Sequence, residues 1–282
     1  CIPDFVLTNA MLEKMVDTND EWIVQRTGVR ERRIAKNTHT WELALGAAQD
    51  ALADAGITAE ELDLILVSTC SPDTNTPNTA SILQDKLGAR QVGAFDINNA
   101  CTGFVSATDI ADSYIKSGKA KTVLVVSAET LSRIVDYTDR STCILFGDGA
   151  AAAVYQATED ETVGILSTFT AADGSGAEYL HMEALPVEDP LSGDRTVDPK
   201  ARFLKMQGAP VVRFTARAYR LRSTPHSSGR ASLQRKSTGW CRIRRICVFW
   251  MLLHADTICR RRRSTSIWTV SAIPRRQACR SA

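Results

Sequence analysis

The sequence has no long apolar run, and its cysteines follow no regular spacing. No run of about 18 apolar residues occurs in the 282-residue chain, so no membrane-spanning helix is expected. Its first residues, CIPDFVLTNAMLEKMVD, include acids where a secretory signal peptide has a basic and then an apolar segment. The chain is too long to need its eight cysteines as disulfides, and 44% of its residues are hydrophobic. These features predict a globular cytoplasmic protein with reduced thiols.

Acidic residues are almost absent from the last part of the chain. Residues 220–282 hold 14 Arg and 1 Lys against the single acid Asp256, whereas residues 1–219 hold 19 basic and 31 acidic residues. The run of four arginines at 260–263 could neutralise phosphates. However, no aromatic-basic module accompanies it, and the cysteines and histidine of this region lack the spacing of a metal site. Neither nucleic acid nor a metal ion is therefore expected as a ligand.

The first 219 residues alternate predicted helices with predicted strands. Helices are expected at 41–55 and 79–87, each followed by a glycine that can end it. Apolar runs predict strands at 62–69, 122–127 and 150–155, a short strand within 128–148, and a strand at 163–169. This alternation predicts an α/β fold whose mostly parallel sheet is covered on both faces.

One cysteine occupies a distinctive position between a predicted strand and a predicted helix. The strand spans 92–97, and helical spacing of apolar residues begins at Phe104 and ends near Gly118. Cys101 would therefore lie in the first turn of a helix, where unpaired N–H groups and the helix macrodipole favour thiolate. It could be a nucleophile near neutral pH. The alternative is that Cys101 is simply a small buried apolar residue.

A second candidate site is an aromatic-cationic pair near the start of the chain. Thr18 or Asn19 can cap a helix that begins at Asp20. Trp22 and Arg26 are four residues apart and would share one face of that helix. Such a pair is more often part of surface packing than of a ligand site.

Five long segments cover nearly all of residues 1–219, loops as well as core. They are VDTNDEWIVQRTGVRERRIA, DLILVSTCSPDTNTPNTASILQDKLGA, FDINNACTGFVSA, SRIVDYTDRSTCILFGDGAAA and FLKMQGAPVVRFTARA. In this order they are similar to β-ketoacyl-acyl carrier protein synthase III, a condensing enzyme of type II fatty-acid synthesis. The resemblance implies a thiolase-like fold of two similar α/β halves. We expect the first half at 1–162, the start of the second at 163–219, and a poorly ordered tail at 220–282.

The resemblance also implies residue roles. Cys101 matches the nucleophile that takes an acyl group from acyl-CoA as a thioester. Trp22 and Arg140 match residues that sandwich the CoA adenine, and Arg26 matches one that contacts the nucleotide end. Gly208 matches a small residue on the pantetheine tunnel, where a side chain would block the thiol arm.

The implied reaction is a decarboxylating Claisen condensation of acyl-CoA with malonyl-acyl carrier protein by a homodimer. A thiolate attacks a thioester readily, so the chemistry needs no cofactor and no metal. Thr76 stands where many family members carry Phe beside the acyl pocket, which indicates a longer or branched acyl group.

Two segments that the family needs are missing from this sequence. A His and an Asn that stabilise the enolate normally lie in segments like PHQAN and GNTSAAS, and losing one such hydrogen-bond donor commonly costs ~3 kcal/mol. Neither segment occurs, and His254, in MLLHADT, lacks the expected neighbours. Condensation by this chain is therefore expected to be impaired.

A shifted reading frame accounts for the missing segments. Read one frame over, codons for 241–253 can spell PHQANLRILDAA, and codons for 263–280 can spell VDIDLDRFGNTSAASVP. The lost His would straddle Arg242 and Ile243, and the lost Asn would straddle Ala272 and Ile273. We hypothesise a frameshift near Arg220. Resequencing the DNA tests this, because an intact frame ending in the Arg-rich tail would reject it.

Two other functions remain open. One is a sister enzyme that transfers a starter unit in polyketide or quinolone synthesis. The other is a non-catalytic pseudoenzyme or a basic-tailed binding protein. The acyl-CoA that labels Cys101 would identify the first, and salt-dependent retention on nucleic acid without acyl transfer would identify the second.

Overall fold

The computed structural model describes residues 1–160, 163–165, 167–184, 191, 198–223 and 268–271, with the backbone alone described for 218–223 and 268–271. The strands of its main sheet are β3 (Leu64–Ser68), β4 (Gly93–Ile97), β5 (Thr122–Thr130), β6 (Asp148–Thr158) and β9 (Trp268–Ser271). They lie in the order β4-β3-β5-β6-β9. Strands β3, β4 and β5 are parallel, β6 is antiparallel to β5, and β9 is parallel to β6.

Helices cover both faces of this sheet. Alternate residues of β3 point to opposite faces, as the period of a strand requires. Ile65 and Val67 pack under α3 (Thr40–Ala55) and α4 (Thr79–Leu87). Leu64 and Leu66 pack under α5 (Gly103–Lys116). The sheet is thus the middle layer of an α/β/α arrangement, and its parallel strands bring the segments after β3 and β4 to one edge.

A smaller unit lies beside the main sheet. It contains the antiparallel pair β1 (Phe5–Thr8) and β2 (Glu31–Ile34) with helices α1 (Asn9–Leu12) and α2 (Asp20–Thr27). A third apolar cluster, which we call the flank cluster, joins this unit to the loop between β5 and β6. Its buried members are Leu7, Leu12, Ile23, Leu131, Val135, Cys143, Ile144 and Phe146.

The described residues after β6 form short elements. Strands β7 (Leu180–His181) and β8 (Lys205–Met206) pair antiparallel, and α6 (Gly208–Ser223) follows. In the part of the chain that the structure describes, no helix is long and apolar enough to cross a membrane.

Most predicted elements are confirmed, with two exceptions. The predicted helices at 41–55 and 79–87 correspond to α3 and α4, which end at Gly56 and Gly88 in the left-handed conformation. The strand predicted at 163–169 is wrong, since the described residues of that segment form no strand. The short strand predicted within 128–148 is also wrong, because β5 runs on to Thr130 and a 3-10 turn follows.

Candidate active site

Cys101 lies on the turn that connects β4 to α5. The turn is a single 3-10 helix, Ala100–Thr102, so the cysteine precedes the first residue of α5 by two positions. Ala100 has φ 41°, a left-handed conformation that only glycine adopts without cost. Thr102 closes the turn, since its N–H and its hydroxyl both donate to the carbonyl of Asn99, at 3.1 and 2.9 Å. The side chain of Cys101 is exposed to solvent in the described chain.

A glycine lets this turn approach the sheet. Gly103 is buried at the start of α5, directly against the last residue of β3. A Cβ atom at this position would lie 1.9 Å from Ser68 Oγ and 3.1 Å from Ser68 Cβ. The backbone can come this close only because residue 103 has no side chain. The position of Cys101 is therefore set by contact between the first turn of α5 and β3.

The surroundings of Cys101 raise the pKa of its thiol above the ordinary value. Desolvation by neighbouring protein atoms is the larger cause, even though part of the side chain faces solvent, and the negative charge of Glu129 is the second. A hydrogen bond from the backbone N–H of Cys101 acts in the opposite direction. The start of the helix was expected to favour thiolate, whereas desolvation and the charge of Glu129 act in the opposite direction on the pKa of this thiol.

Glu129 was not recognised from the sequence. It is near the end of β5, and its carboxylate accepts hydrogen bonds from the segment that follows β3. The donors are Cys70 N–H at 2.9 Å, Cys70 Sγ at 3.4 Å and the Ser71 hydroxyl. Burial raises the pKa of Glu129. A signal was present, since an acid near the end of the apolar run TVLVVSAET must find polar partners.

The predicted aromatic-cationic site is formed, and it includes Arg140. Asn19 caps α2 through its side chain, as predicted. The guanidinium carbon of Arg26 lies 4.7 Å from the centre of the Trp22 ring, and that of Arg140 lies 5.1 Å from it. Arg140 also donates to the backbone carbonyl of Asp17 at 2.9 Å. Two cations thus contact one ring, although 114 residues separate Arg26 from Arg140 in the sequence.

The flank cluster connects the Trp22 site to the surroundings of Cys101. Trp22 and Cys70 both pack against its buried members. Cys70 in turn lies close enough to Cys101 for the charge of one thiolate to raise the pKa of the other thiol. The flank cluster therefore links the Trp22 site to Cys70, which is a neighbour of Cys101.

Gly208 is the first residue of α6, next to the β7–β8 pair. An added Cβ would have Met206 Cε as its nearest neighbour, at 3.9 Å, which is an ordinary contact. The residue is held near the flank cluster through Leu204, whose N–H donates to the carbonyl of Ile134 at 2.8 Å. The described residues therefore leave room for a side chain at position 208.

Thr76 lies in the loop between β3 and α4. It is exposed and precedes Pro77 through a cis peptide bond. No described side chain makes a hydrogen bond to it. Its expected place beside the acyl pocket stays a prediction.

Several predicted features fall outside the described residues. They are His254 and the two positions, 242–243 and 272–273, where the family's His and Asn are hypothesised to have been lost. Within the described ranges, no group of three or more His, Cys, Asp or Glu side chains is arranged to hold a metal ion.

Comparison with known proteins identifies the family. The model of the family 3-oxoacyl-[acyl-carrier-protein (ACP)] synthase III matches residues 95–174, which include Cys101. The β-ketoacyl-[acyl-carrier-protein] synthase III of Clostridium novyi is 47% identical over 217 residues, which are 77% of this chain and 66% of that protein. The chain belongs to the 3-oxoacyl-[acyl-carrier-protein] synthase III family.

Solved structures of similar proteins agree with the fold. The synthase III of Aquifex aeolicus matches with a TM-score of 0.69 and 47% identity, over 77% of this chain and 65% of that one. A priming β-ketosynthase from the R1128 polyketide pathway matches with a TM-score of 0.65 and 33% identity, over 77% and 64%. The chain has a thiolase-like fold, and it spans about 55 to 66% of the length of the curated synthase III proteins that it matches.

Proposed function

We propose that this chain accepts an acyl group from acyl-CoA on the sulfur of Cys101, as the first half of a decarboxylating condensation with malonyl-acyl carrier protein. The observation that carries the proposal is the position of Cys101, exposed on the strand-to-helix turn of a synthase III chain. The thiol attacks the thioester carbonyl, a new C–S bond forms, and CoA leaves with its own sulfur protonated. This exchange of thioesters requires no cofactor.

The Trp22 site supports CoA as the acyl donor. We propose that the adenine stacks between Trp22 and Arg140, with Arg26 at the nucleotide end. A flat base needs roughly 3.5 Å to each neighbour, whereas Arg140 now lies 5.1 Å from the Trp22 ring centre. Arg140 must therefore withdraw by about 2 Å when adenine enters. Its exposed side chain, paired with Asp17 at 3.7 Å, can make this movement at small cost.

The raised pKa of the Cys101 thiol limits the rate of acyl transfer that the described residues can support. Near neutral pH Cys101 is mostly protonated, so acyl transfer is expected to be slow and to become faster as the pH rises. The later step requires donors to the enolate oxygen, which the sequence lacks in recognisable form. We therefore propose acylation as the surviving step and an impaired condensation.

The test is to measure the intact mass of the full chain after incubation with acetyl-CoA and with longer and branched acyl-CoAs. We expect one acyl group per chain, with a preference for the longer or branched donors if Thr76 widens the pocket. Adding malonyl-acyl carrier protein to the acylated chain measures condensation separately. If no acyl-CoA adds mass to the folded wild-type chain, the proposal is wrong.

A second candidate function is transfer of a starter unit in polyketide synthesis. The similarity to the R1128 priming β-ketosynthase favours it. The two functions share acylation of Cys101 and differ in the acyl donor and in the malonyl carrier protein. Competition between the two kinds of carrier protein for the same acylated chain distinguishes them.

We also propose a cytoplasmic homodimer. In the described part of the sheet, β4 is an edge strand, and such an edge is commonly covered by pairing. Sedimentation at several concentrations tests this, and a single monomeric species throughout would contradict it.

A further inference from the structure

The segment after β3, Thr69–Ser71, lies directly beside the Cys101 turn. The N–H of Thr69 donates to the carbonyl of Ile97 at 3.2 Å, so this segment continues alongside the end of β4. Cys101 follows Ile97 by four residues, and Gly103 contacts Ser68 immediately before the segment. Any movement of Thr69–Ser71 would therefore reach the cysteine.

One carboxylate holds this segment in place. Glu129 accepts hydrogen bonds from the N–H of Cys70 and from the hydroxyl of Ser71, and Thr69 Oγ1 lies 3.5 Å from it. The N–H of Thr130 donates to Ser71 Oγ at 2.8 Å, which ties the same segment to the backbone of β5. These donors belong to the Thr69–Ser71 segment, except for Thr130, which follows Glu129 in the chain.

The charge of Glu129 has no cationic partner among the described residues. No salt bridge of Glu129 occurs among those described, and its contacts are neutral donors. The other titrating groups around the segment are Cys70 and Cys101 and, beyond Ser71, Asp73 with the two cations bound to it, His39 and Arg133. The two cations are bound to Asp73, so no described cation pairs with Glu129, and the charge of its ionised carboxylate raises the pKa of both thiols.

We propose that Glu129 is a positioning residue for Cys101: its carboxylate anchors Thr69–Ser71 beside the turn that carries the nucleophile. The inference rests on the proposed function, because Cys101 matters only if it accepts an acyl group. Among the described residues, Glu129 influences the Cys101 thiol through its charge and makes no hydrogen bond to it. It acts through the segment that it anchors and through its field.

The test follows the pH dependence of Cys101 alkylation by iodoacetamide in the full chain, with the Cys101 peptide quantified by mass spectrometry. In Glu129→Gln, which keeps the shape and removes the charge, the midpoint should fall by about one pH unit relative to wild type. In Glu129→Asp, which keeps the charge but draws it back from Ser71, the midpoint should fall by only a few tenths. Asp50→Asn, at an exposed position on α3, should leave the midpoint unchanged.

Cys143 reports whether each variant is folded. It is buried, and burial raises the pKa of its thiol to about 11, so it should stay unmodified in a folded chain. If Glu129→Gln unfolds, the inference is tested instead by the fall in the pH midpoint of Cys101 alkylation in Glu129→Asp. A midpoint equal to or above that of wild type in the folded variants overturns the inference.

Acyl transfer from acetyl-CoA, measured on the same samples, separates the two proposals. A wild-type chain that is acylated while Glu129→Gln shows no shift overturns the role of Glu129 and leaves the proposed function intact. If the alkylation midpoint shifts in Glu129→Gln but no sample is acylated, the proposed function is overturned. The effect of Glu129 on the Cys101 thiol then still holds.

Discussion

Substituting Gly103 by alanine should disturb the candidate site through one steric contact. The added Cβ would lie 1.9 Å from Ser68 Oγ, so the two elements must separate by more than about 1 Å if Ser68 keeps its rotamer. If the Ser68 side chain rotates, Ser68 Cβ still lies at 3.1 Å, and the elements must separate by a few tenths of an ångström. Ser68 is 1% exposed and pairs with both β4 and β5, which leaves it little freedom to move. The start of α5 must therefore move, and the Cys101 turn, which directly precedes it, moves as well.

The size of the effect follows from overpacking and from misplacement. Forcing a methyl group into a packed site costs about 1–3 kcal/mol of stability. A shift of about 1 Å at a reacting group can reduce the rate by roughly 100-fold. We expect Gly103→Ala to lower the urea midpoint and to slow acylation of Cys101 by roughly 10- to 100-fold.

A double-mutant cycle makes this prediction specific. Ser68→Gly removes both atoms that would contact the new methyl group, so it should restore most of the acylation rate in the Gly103→Ala background. Gly174→Ala is the matched control, because a Cβ there meets nothing within 4 Å. The reasoning is refuted if Gly103→Ala acylates at the wild-type rate, or if Ser68→Gly gives no recovery.

Two further predictions concern the Trp22 site and the loop after β3. Trp22→Ala should raise the acyl-CoA concentration for half-maximal labelling about 10-fold and leave the final extent unchanged, since stacking contributes about 1–3 kcal/mol; unchanged half-saturation would count against adenine binding there. For Asp73, desolvation opposes ionisation, but hydrogen bonds from Trp41 N–H, Arg133 and Thr40 N–H outweigh it and lower its pKa. The stabilisation is therefore complete above about pH 4 and lost as the pH falls through the lowered pKa. Asp73→Asn should cost about 1–3 kcal/mol in urea unfolding at pH 7, and this cost should shrink as the pH falls below about 4; a cost that stays constant down to the lowest pH at which the chain is folded would argue against this assignment.

The main sheet and its helices could be predicted from the sequence because their signals are local. The β3 run LILVS is continuous and apolar, and α3 and α4 end at glycines that adopt positive φ. The pair β1–β2 was missed. Its strand Glu31–Ile34 reads ERRI, which shows no apolar alternation, and its pairing with Phe5–Thr8 is set by tertiary contacts.

The candidate site could be predicted only as far as its individual residues. The turn containing Cys101 and the Trp22–Arg26 pair lie within short segments. No sequence spacing predicts that Arg140 lies close to Trp22. That expectation rested on the resemblance alone. Glu129 and the raised pKa of the thiol depend on β3 and β5 being adjacent, and an argument from the helix start alone omits both desolvation and the opposing charge.

The central claim is that the sulfur of Cys101 accepts the acyl group, and peptide mapping of the acylated chain tests it most directly. Incubation with an acyl-CoA above pH 8, followed by digestion under conditions that preserve thioesters, should place the acyl group on the peptide containing Cys101. Cys101→Ala should abolish this label, with Cys143 still protected as evidence of folding. A label that persists in folded Cys101→Ala, or that maps to another cysteine in the wild-type chain, would contradict the account.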